Sequence, residues 1–557
     1  MPTYDLLAEP WIPVLDGSAD LRPDPHAPLV PRLVGLREAL LRAHEIREVA
    51  GGSPLETLAL DRLLLALAID VFLPAPDVGA WTSLWRAGRL PAAPLDAYLD
   101  AHRDRFDLLH AAHPFFQRAT PDASQDGKPP APLSTLFLGR ASGNNATLFA
   151  HDVDSRPGRM PLADAARGLV ATQASALGGG ASQPFYFSHA PLVGRAQFWI
   201  RGRSLFEALL LNGPPDARAR MGDLGRDAPV WRRPDPAAYT RRPHLGLRDV
   251  LAWPARRVTL ATETDAAGAT VAVGVYLTQG DKLEPQPSVD PLAAHVVSRD
   301  VGTYPLGFRA GRALWRDAAA LFRSAGADGA GPPFTFEWLA SGALFAAAGD
   351  AADLRTVFRE TGVDAFGLVN DQAKAELWRH ERLPLHVALL QDRTRQQAVE
   401  DALARARTQW DDKARGLRRA VRTTAEYALS PPPPGTDAAP SADPRAVSLL
   451  AESLAAEPRF WAALETPFFA LLARVADAET EADRAAAAAD WDGDVFSAAR
   501  LAFDAATAHF DGDARHLRAT AQGRARLQPV APAAPPPPEP AAGITAPDSQ
   551  PSLFGSL

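Results

Sequence analysis

Apolar positions dominate Leu55 to Phe72, LETLALDRLLLALAIDVF, to the point that one helical face is almost wholly hydrophobic. This pattern predicts a helix buried in a core. Leu36–Glu48 and Leu95–Leu109 show the same period and predict further helices. Trp11–Val14, with Pro10 before it and Pro13 within it, reads as a short extended segment. Leu169–Ala176 is helical and stops at Gly178-Gly179-Gly180. Arg195–Arg203 and Arg257–Leu277 alternate as strands do. Asp281–Tyr304 reads as irregular, and Ala310–Ser324 as a helix with Trp315 and Phe322 on its apolar side. Residues 121–147, rich in Pro, Gly, Ser and Asn, read as a long loop. Loops of that length are commonly functional or disordered.

The pattern changes in the last third. Ala365–Val369 reads as a short strand that ends in the polar knot Asn370-Asp371-Gln372. A charged amphipathic segment, expected to be helical, begins at Ala373. Leu385–Leu429 has almost no Gly or Pro and keeps a helical period, with Trp410, Leu417 and Val421 on one side. Arg405, Arg407, Lys413, Arg415, Arg418, Arg419 and Arg422 decorate this stretch. Pro431–Pro434 starts a linker, and 446–475 and 485–527 supply further helices. Four antiparallel helices would bury these faces economically. The tail from Pro529 to Leu557 carries nine Pro and two charges, a composition that predicts disorder.

These segments predict an α+β fold with a large mixed domain over 1–375, a helical bundle over 376–527 and a tail over 528–557. At 557 residues with 46% hydrophobic positions, more than one core is expected. No uncharged apolar run reaches about 18 residues, so no membrane span is expected. The start, MPTYDLLAEPW, lacks the basic-then-apolar order of a secretion signal. The sequence has no cysteine, which excludes disulfides, thiol catalysis and Cys-ligated zinc. A cytoplasmic location follows as the default expectation.

Net charge is −8, yet Arg195–Arg257 holds thirteen Arg against six acids, a local +7. This stretch reads either as a solvated surface or as a patch facing phosphates.

Four blocks carry a resemblance. They are AEPWIPV (Ala8–Val14), AAHPFFQ (Ala111–Gln117), GRASGNNATLFAH to ASALGGGASQ (Gly139–Gln183), and GLVNDQAKAELWRHERLP (Gly367–Pro384). In this order and spacing they resemble the large subunit of the type I-E CRISPR Cascade complex, the CasA family, over roughly residues 1–525. The resemblance implies an RNA-guided complex in which this subunit reads the PAM of invading DNA. It also implies a C-terminal four-helix bundle. Some members carry a Cys-rich zinc-binding insertion; this chain departs from them, and no metal or cofactor is expected.

The resemblance further implies which residues act. A family glycine loop that meets the PAM duplex in the minor groove matches Gly178, Gly179 and Gly180. Contacts there distinguish mainly A·T from G·C, which gives relaxed readout. A family lysine finger matches Lys282, read here as lying in a turn. The family's inserted glutamine matches Gln372, with Asn370 and Asp371 before it. Amides carry donors and acceptors without charge and can enter a duplex as a wedge. Phe149 matches an aromatic that meets the 5′ handle of the guide RNA and neighbouring subunits. Implied partners are the guide RNA handle, target double-stranded DNA, other Cascade subunits and the CRISPR helicase–nuclease.

Other readings compete. The histidine of HPFFQ, His113, has no nucleophile or carboxylate pair with it and reads as part of a turn whose aromatics anchor the core. His151-Asp152-Val153-Asp154 has metal-binding residue types and would suit a metal-dependent nuclease. Asp492, Asp494, Asp511 and Asp513 read as helix caps in turns. No phosphate loop of the GxxxxGK kind or GxSxG elbow is present. The expectation is a protein that is not an enzyme. The alternatives are the nuclease and a purely protein-binding helical scaffold.

Overall fold

The computed structural model describes residues 3–17, 30–137, 158–179, 189–215, 225–234, 240–284, 290–298, 300, 302–322, 330–342, 344, 346, 361–371, 374–433, 439–510 and 512–530. It is an α+β protein with a helical C-terminal region. The chain forms two compact units. One comprises Met1–Leu403 with Glu465–Trp491; the other comprises Ala404–Leu464 with residues from Asp492 onward. The first unit therefore continues past residue 375, because Lys374–Leu383 is a strand of its sheet.

The first unit is built around a helix, α2, that spans Pro54–Phe72. Its apolar run is why it is central: Leu58, Leu60, Leu63, Leu64, Leu65, Leu67 and Ile69 are all buried. Ser53 caps it by accepting from the Glu56 amide, and Glu56 reaches back to the Gly52 amide at 3.1 Å. A three-stranded sheet, β2–β1–β3, lies nearby in sequence, with β1 Ile12–Asp16, β2 Arg32–Val34 and β3 Ile46–Val49. Leu36–Glu48 is thus not one helix. Helix α1 covers only Leu36–Leu41, and Ile46–Val49 gives up helical bonds to pair with β1.

A second sheet, β13–β12–β5, pairs Gln197–Ile200 (β5) with Val363–Asp371 (β12) and β12 with Lys374–Leu383 (β13). The segment expected to turn helical after the polar knot is instead the second strand of a β-hairpin. Leu368 pairs with Trp378 and Phe366 with His380, whose rings stack at 4.6 Å. Such cross-strand partners favour the ladder over a helix. Gly367 is required here. A Cβ at that position would fall 2.3 Å from a ring carbon of Phe308.

A third sheet, β4–β8–β7, contains Arg256–Thr264 (β7) and Thr270–Gln279 (β8), the strands expected from alternation, with Met160–Pro161 (β4) at the edge. Asp281–Tyr304, expected to be irregular, holds the short strands β9 Lys282–Leu283, β10 His295–Ser298 and β11 Gly302–Pro305. Ala310–Ser324 is not a continuous helix. A 3-10 turn at Leu314–Asp317 and one helical turn at Ala319–Phe322 follow Gly311, which sits at φ +70°. Trp315 and Phe322 are nevertheless buried, as expected. Trp315 meets Phe468 at 4.8 Å, Phe468 meets Trp491 at 5.8 Å, and the Trp491 indole donates to the Ala402 carbonyl at 2.8 Å.

In the second unit, helix Leu417–Leu429 packs against helices Ala514–Arg526 and Pro444–Ser453. Its buried face is Leu417, Ala420, Val421, Thr424, Ala425 and Ala428. Gly523 permits the close crossing, since a Cβ there would lie 2.0 Å from the Thr424 hydroxyl. Asp492 and Asp494 lie inside helix Glu481–Thr507 rather than in a turn; Asp513 does cap Ala514–Arg526. The predicted tail falls outside the described residues from 531 onward.

Candidate nucleic-acid interface

Helix α5, Leu162–Ser175, ends at Ala176, and the chain passes through Leu177 to Gly178 and Gly179. This exit is held from three sides. The Arg256 guanidinium donates to the Leu177 carbonyl at 2.8 Å and to the Ala255 carbonyl at 2.7 Å. The Gly178 amide donates to His189 Nδ1 at 2.9 Å. The Ala190 and Leu192 amides donate to the Ala176 and Ala174 carbonyls. Gln173, buried on α5, ties the arrangement to β7. Its amide nitrogen donates to the carbonyls of Arg256 and Phe116, and its oxygen accepts from the Arg256 amide. Gly180 lies outside the described residues.

Burial sets the electrostatics of this exit. Arg256 is 2% exposed, and the loss of solvation pulls its guanidinium down to about 10. His189 is lowered from the ordinary histidine value, first by burial and then by the charges of Arg256 and Lys282. A neutral His189 is what the geometry needs, since Nδ1 must accept from Gly178.

Lys282 is placed by a different set of residues. It is the first residue of β9, not part of a turn, and pairs in parallel with Arg241 of β6 (Arg241–Arg242). Asp281 before it accepts from Arg242 at 2.7 Å and from the Thr240 amide at 3.1 Å. The Asp281 carbonyl accepts from the Trp253 indole at 3.0 Å, and Arg242 lies 4.0 Å over that ring. Leu283 packs with Ala176 on Ala190, Trp253 and Ala255. The lysine therefore sits beside the glycine exit, and its charge is felt at His189.

The hairpin reaches the same place. Leu368, Leu55 and Val193 form a buried cluster on which Leu177, Ala375 and Trp378 pack. Leu177 is the residue before Gly178. Asn370 is half-buried opposite Ala375, where the register shifts after Val369, and Asp371 pairs with Lys374. Gln372 and Ala373 join the strands and lie outside the described residues, as do Phe149 and His151. Of the sequence-predicted residues, Gly178, Gly179, Lys282 and Asn370 are thus carried by segments that meet near Ala176 and Leu177.

Among the described residues, the basic stretch Arg195–Arg257 spends much of its charge on buried or half-buried acids. Asp70 accepts from Arg248 at 2.7 Å, Arg232 at 2.9 Å and the Tyr98 hydroxyl at 2.6 Å. Asp227 accepts from Arg248 at 3.2 Å, and Asp249 from Arg233 and from Arg242 at 2.6 Å. Arg201 pairs with Glu48 at 2.5 Å and Asp364 at 3.2 Å. Three of these acids, Asp70, Asp364 and Glu48, lie outside the stretch, so a local count of charge could not reveal the pairing.

Sequence reasoning missed His189, Arg256 and Gln173. Nothing in their local sequence marks them; only the return of β7 past the end of α5 does. Among the described residues no three His, Asp or Glu side chains are grouped to hold a metal. No described helix is long and apolar enough to cross a membrane.

The model of the CRISPR-associated protein Cse1 family matches residues 5–502. A CasA/Cse1 protein of Thermus thermophilus is 32% identical over 540 residues, covering 93% of this chain and 95% of the relative. The crystal structure of Thermus thermophilus CasA matches with a TM-score of 0.71 at 28% identity, over 94% of this chain and 98% of that one. A chain of a solved CRISPR RNA-guided surveillance complex shares the fold, with a TM-score of 0.70 at 22% identity, covering 94% and 99%.

Proposed function

This chain belongs to the CRISPR-associated Cse1 family, the CasA family of type I-E systems, and from that premise we propose that it is the large subunit of an RNA-guided surveillance complex that reads the PAM of invading double-stranded DNA. The observation that carries the reading is the convergence at Leu177. The glycine exit, the strand β9 that carries Lys282 and the hairpin that carries Asn370 come from distant parts of the sequence and meet near Ala176 and Leu177.

Each part has a distinct task. Gly178–Gly180 bring bare backbone to the minor groove, where a side chain would hold the duplex away. Lys282 donates to groove acceptors or to phosphate. The hairpin delivers Asn370, Asp371 and Gln372 to the base pair beside the PAM. Unstacking that pair costs a few kcal/mol, and an inserted amide offsets part of it so that guide RNA can invade. Phe149 meets the 5′ handle of the guide RNA by stacking. The helical region steadies the displaced strand, docks on other Cascade subunits and supports recruitment of the helicase–nuclease. The protein works in the cytoplasm and does no covalent chemistry itself.

The test is binding of PAM-bearing and PAM-less duplexes by the assembled complex. Gly179→Val and Lys282→Ala are expected to remove most of the preference for the PAM while leaving weak binding to any duplex, which is mainly phosphate contact. Retention of full preference in both variants overturns the reading. Magnesium-dependent cleavage of the duplex by the subunit alone would favour the nuclease instead.

A further inference from the structure

We propose that Leu177 is a positioning residue that couples the glycine exit to the hairpin, so that strand opening depends on contact between the exit and the PAM. The inference rests on the duplex-reading role proposed above and adds a mechanical link between two of its parts.

The hairpin is anchored at its root. Strand β5 pairs with β12 over Val363–Phe366, and from Gly367 to Asp371 the described partner of β12 is β13. That outer part is a two-stranded ribbon, a form that is marginal without packing support. The register shift after Val369 loosens its ladder further. Support comes from an apolar cluster on one face. Leu368 is buried there against Leu55, at the start of α2, and against Val193. Trp378, the cross-strand partner of Leu368, packs on the same cluster, and so does Leu177.

Leu177 differs from the other members because its main chain belongs to the exit. Its carbonyl accepts from Arg256 at 2.8 Å, and the next amide, that of Gly178, donates to His189 at 2.9 Å. With the backbone pinned on both sides, a shift of the glycines is passed to the Leu177 side chain rather than absorbed in slack chain. The side chain then presses on the cluster that seats the hairpin. Coupling of this kind needs contiguous packing and an element with room to move. A cavity of about 540 Å³, lined by Leu55, Ser175 and Trp378 among others, supplies that room. Trp378 is thus packed on one side and free to shift on the other.

The experiment follows duplex binding and R-loop opening by the assembled complex. Leu177→Ala removes the contact, Leu177→Met keeps most of its volume, and Trp378→Leu tests it from the hairpin side. Leu177→Ala and Trp378→Leu should each slow opening of PAM-bearing target about tenfold, within the usual range for coupled sites. Preference for PAM-bearing duplex in binding should stay near the parent's, as should guide RNA loading, and Leu177→Met should open at the parent rate. The two slow variants combined should be no slower than the slower one alone, because both break one contact. On a target already mismatched beside the PAM the hairpin has no pair to open, so Leu177→Ala and parent rates should converge. Parent opening rates in both single variants overturn the coupling. So does a defect that persists on the mismatched target, a binding preference that falls as far as the opening rate, or additive slowing in the double variant. Failure of the broader reading looks different: the parent complex itself shows no preference for the PAM.

Discussion

Arg256→Met separates the stability of the fold from the shape of the glycine exit. Burial pulls this guanidinium well below the ordinary arginine range, to about 10. At about 1.4 kcal/mol per tenfold, that costs the folded protein about 3 kcal/mol. Against it stand charge-assisted bonds to the carbonyls of Ala255 and Leu177, worth about 1.5–3 kcal/mol each. Methionine preserves much of the buried stem and removes both the penalty and the bonds. The net destabilisation should be about 0–3 kcal/mol, a fall of at most a few degrees in Tm. The Leu177 carbonyl then has no guanidinium to fix it, and Gly178 follows it in the chain. The ratio of affinities for PAM-bearing and PAM-less duplex should narrow about tenfold, or about 1.4 kcal/mol. Thermal melting and duplex binding by the assembled complex measure the two halves. Undiminished PAM preference alongside the small Tm loss would refute positioning by Arg256. Outright failure to fold would refute the near-balance of burial cost and hydrogen bonds.

His189 makes the exit sensitive to acid. Its lowered value means that the unfolded chain binds a proton first, so stability falls as pH drops through the ordinary histidine value of about 6.5. His189→Asn, whose oxygen can accept from Gly178 without titrating, should flatten the fall in Tm between pH 7.5 and 5.5; equal slopes would remove His189 from the account. Gln372→Ala should leave duplex binding intact and slow R-loop opening on linear target, and equal opening rates would sink the wedge. Charge reversal at Arg415, Arg418 and Arg419 should weaken target binding in a manner that fades as salt rises. Because Arg418 pairs with Asp411 at 2.7 Å and Arg419 with Glu426 at 3.4 Å, both partly exposed, stability should change by no more than about 1 kcal/mol; binding with parental affinity and salt slope would leave these cations facing solvent.

Strong periodicity was readable from sequence alone. Pro54–Phe72 announces itself because one of its faces is almost wholly apolar, and β7 and β8 because their alternation is long. Segments whose partner decides their state were not readable. Ile46–Val49 satisfies a helical period, yet β1 offers it a ladder. Lys374–Leu383 has charges at helical spacing, yet Phe366 and Leu368 across the hairpin make it a strand. The site divides in the same way. Gly178, Gly179, Lys282 and Asn370 were named through motif resemblance. The residues that hold them, Arg256, His189 and Gln173, act across gaps in sequence that no local pattern records. The excess of arginine between 195 and 257 misled for the same reason, since Asp70 and Glu48 lie far upstream.

The discontinuity of the first unit has a consequence for how the protein is made. Its core around Trp315 is completed by Phe468 and Trp491, and Trp491 reaches back to Ala402. A ribosome that has just released residue 403 has not yet supplied these rings. At about 5–20 residues per second, the wait until residue 491 is on the order of 4–18 s. During that interval the nascent chain holds Trp315 without its aromatic neighbours. Shortening the protein at 403 would make the interval permanent, so the first unit is not expected to be separable from the helices by a single cut.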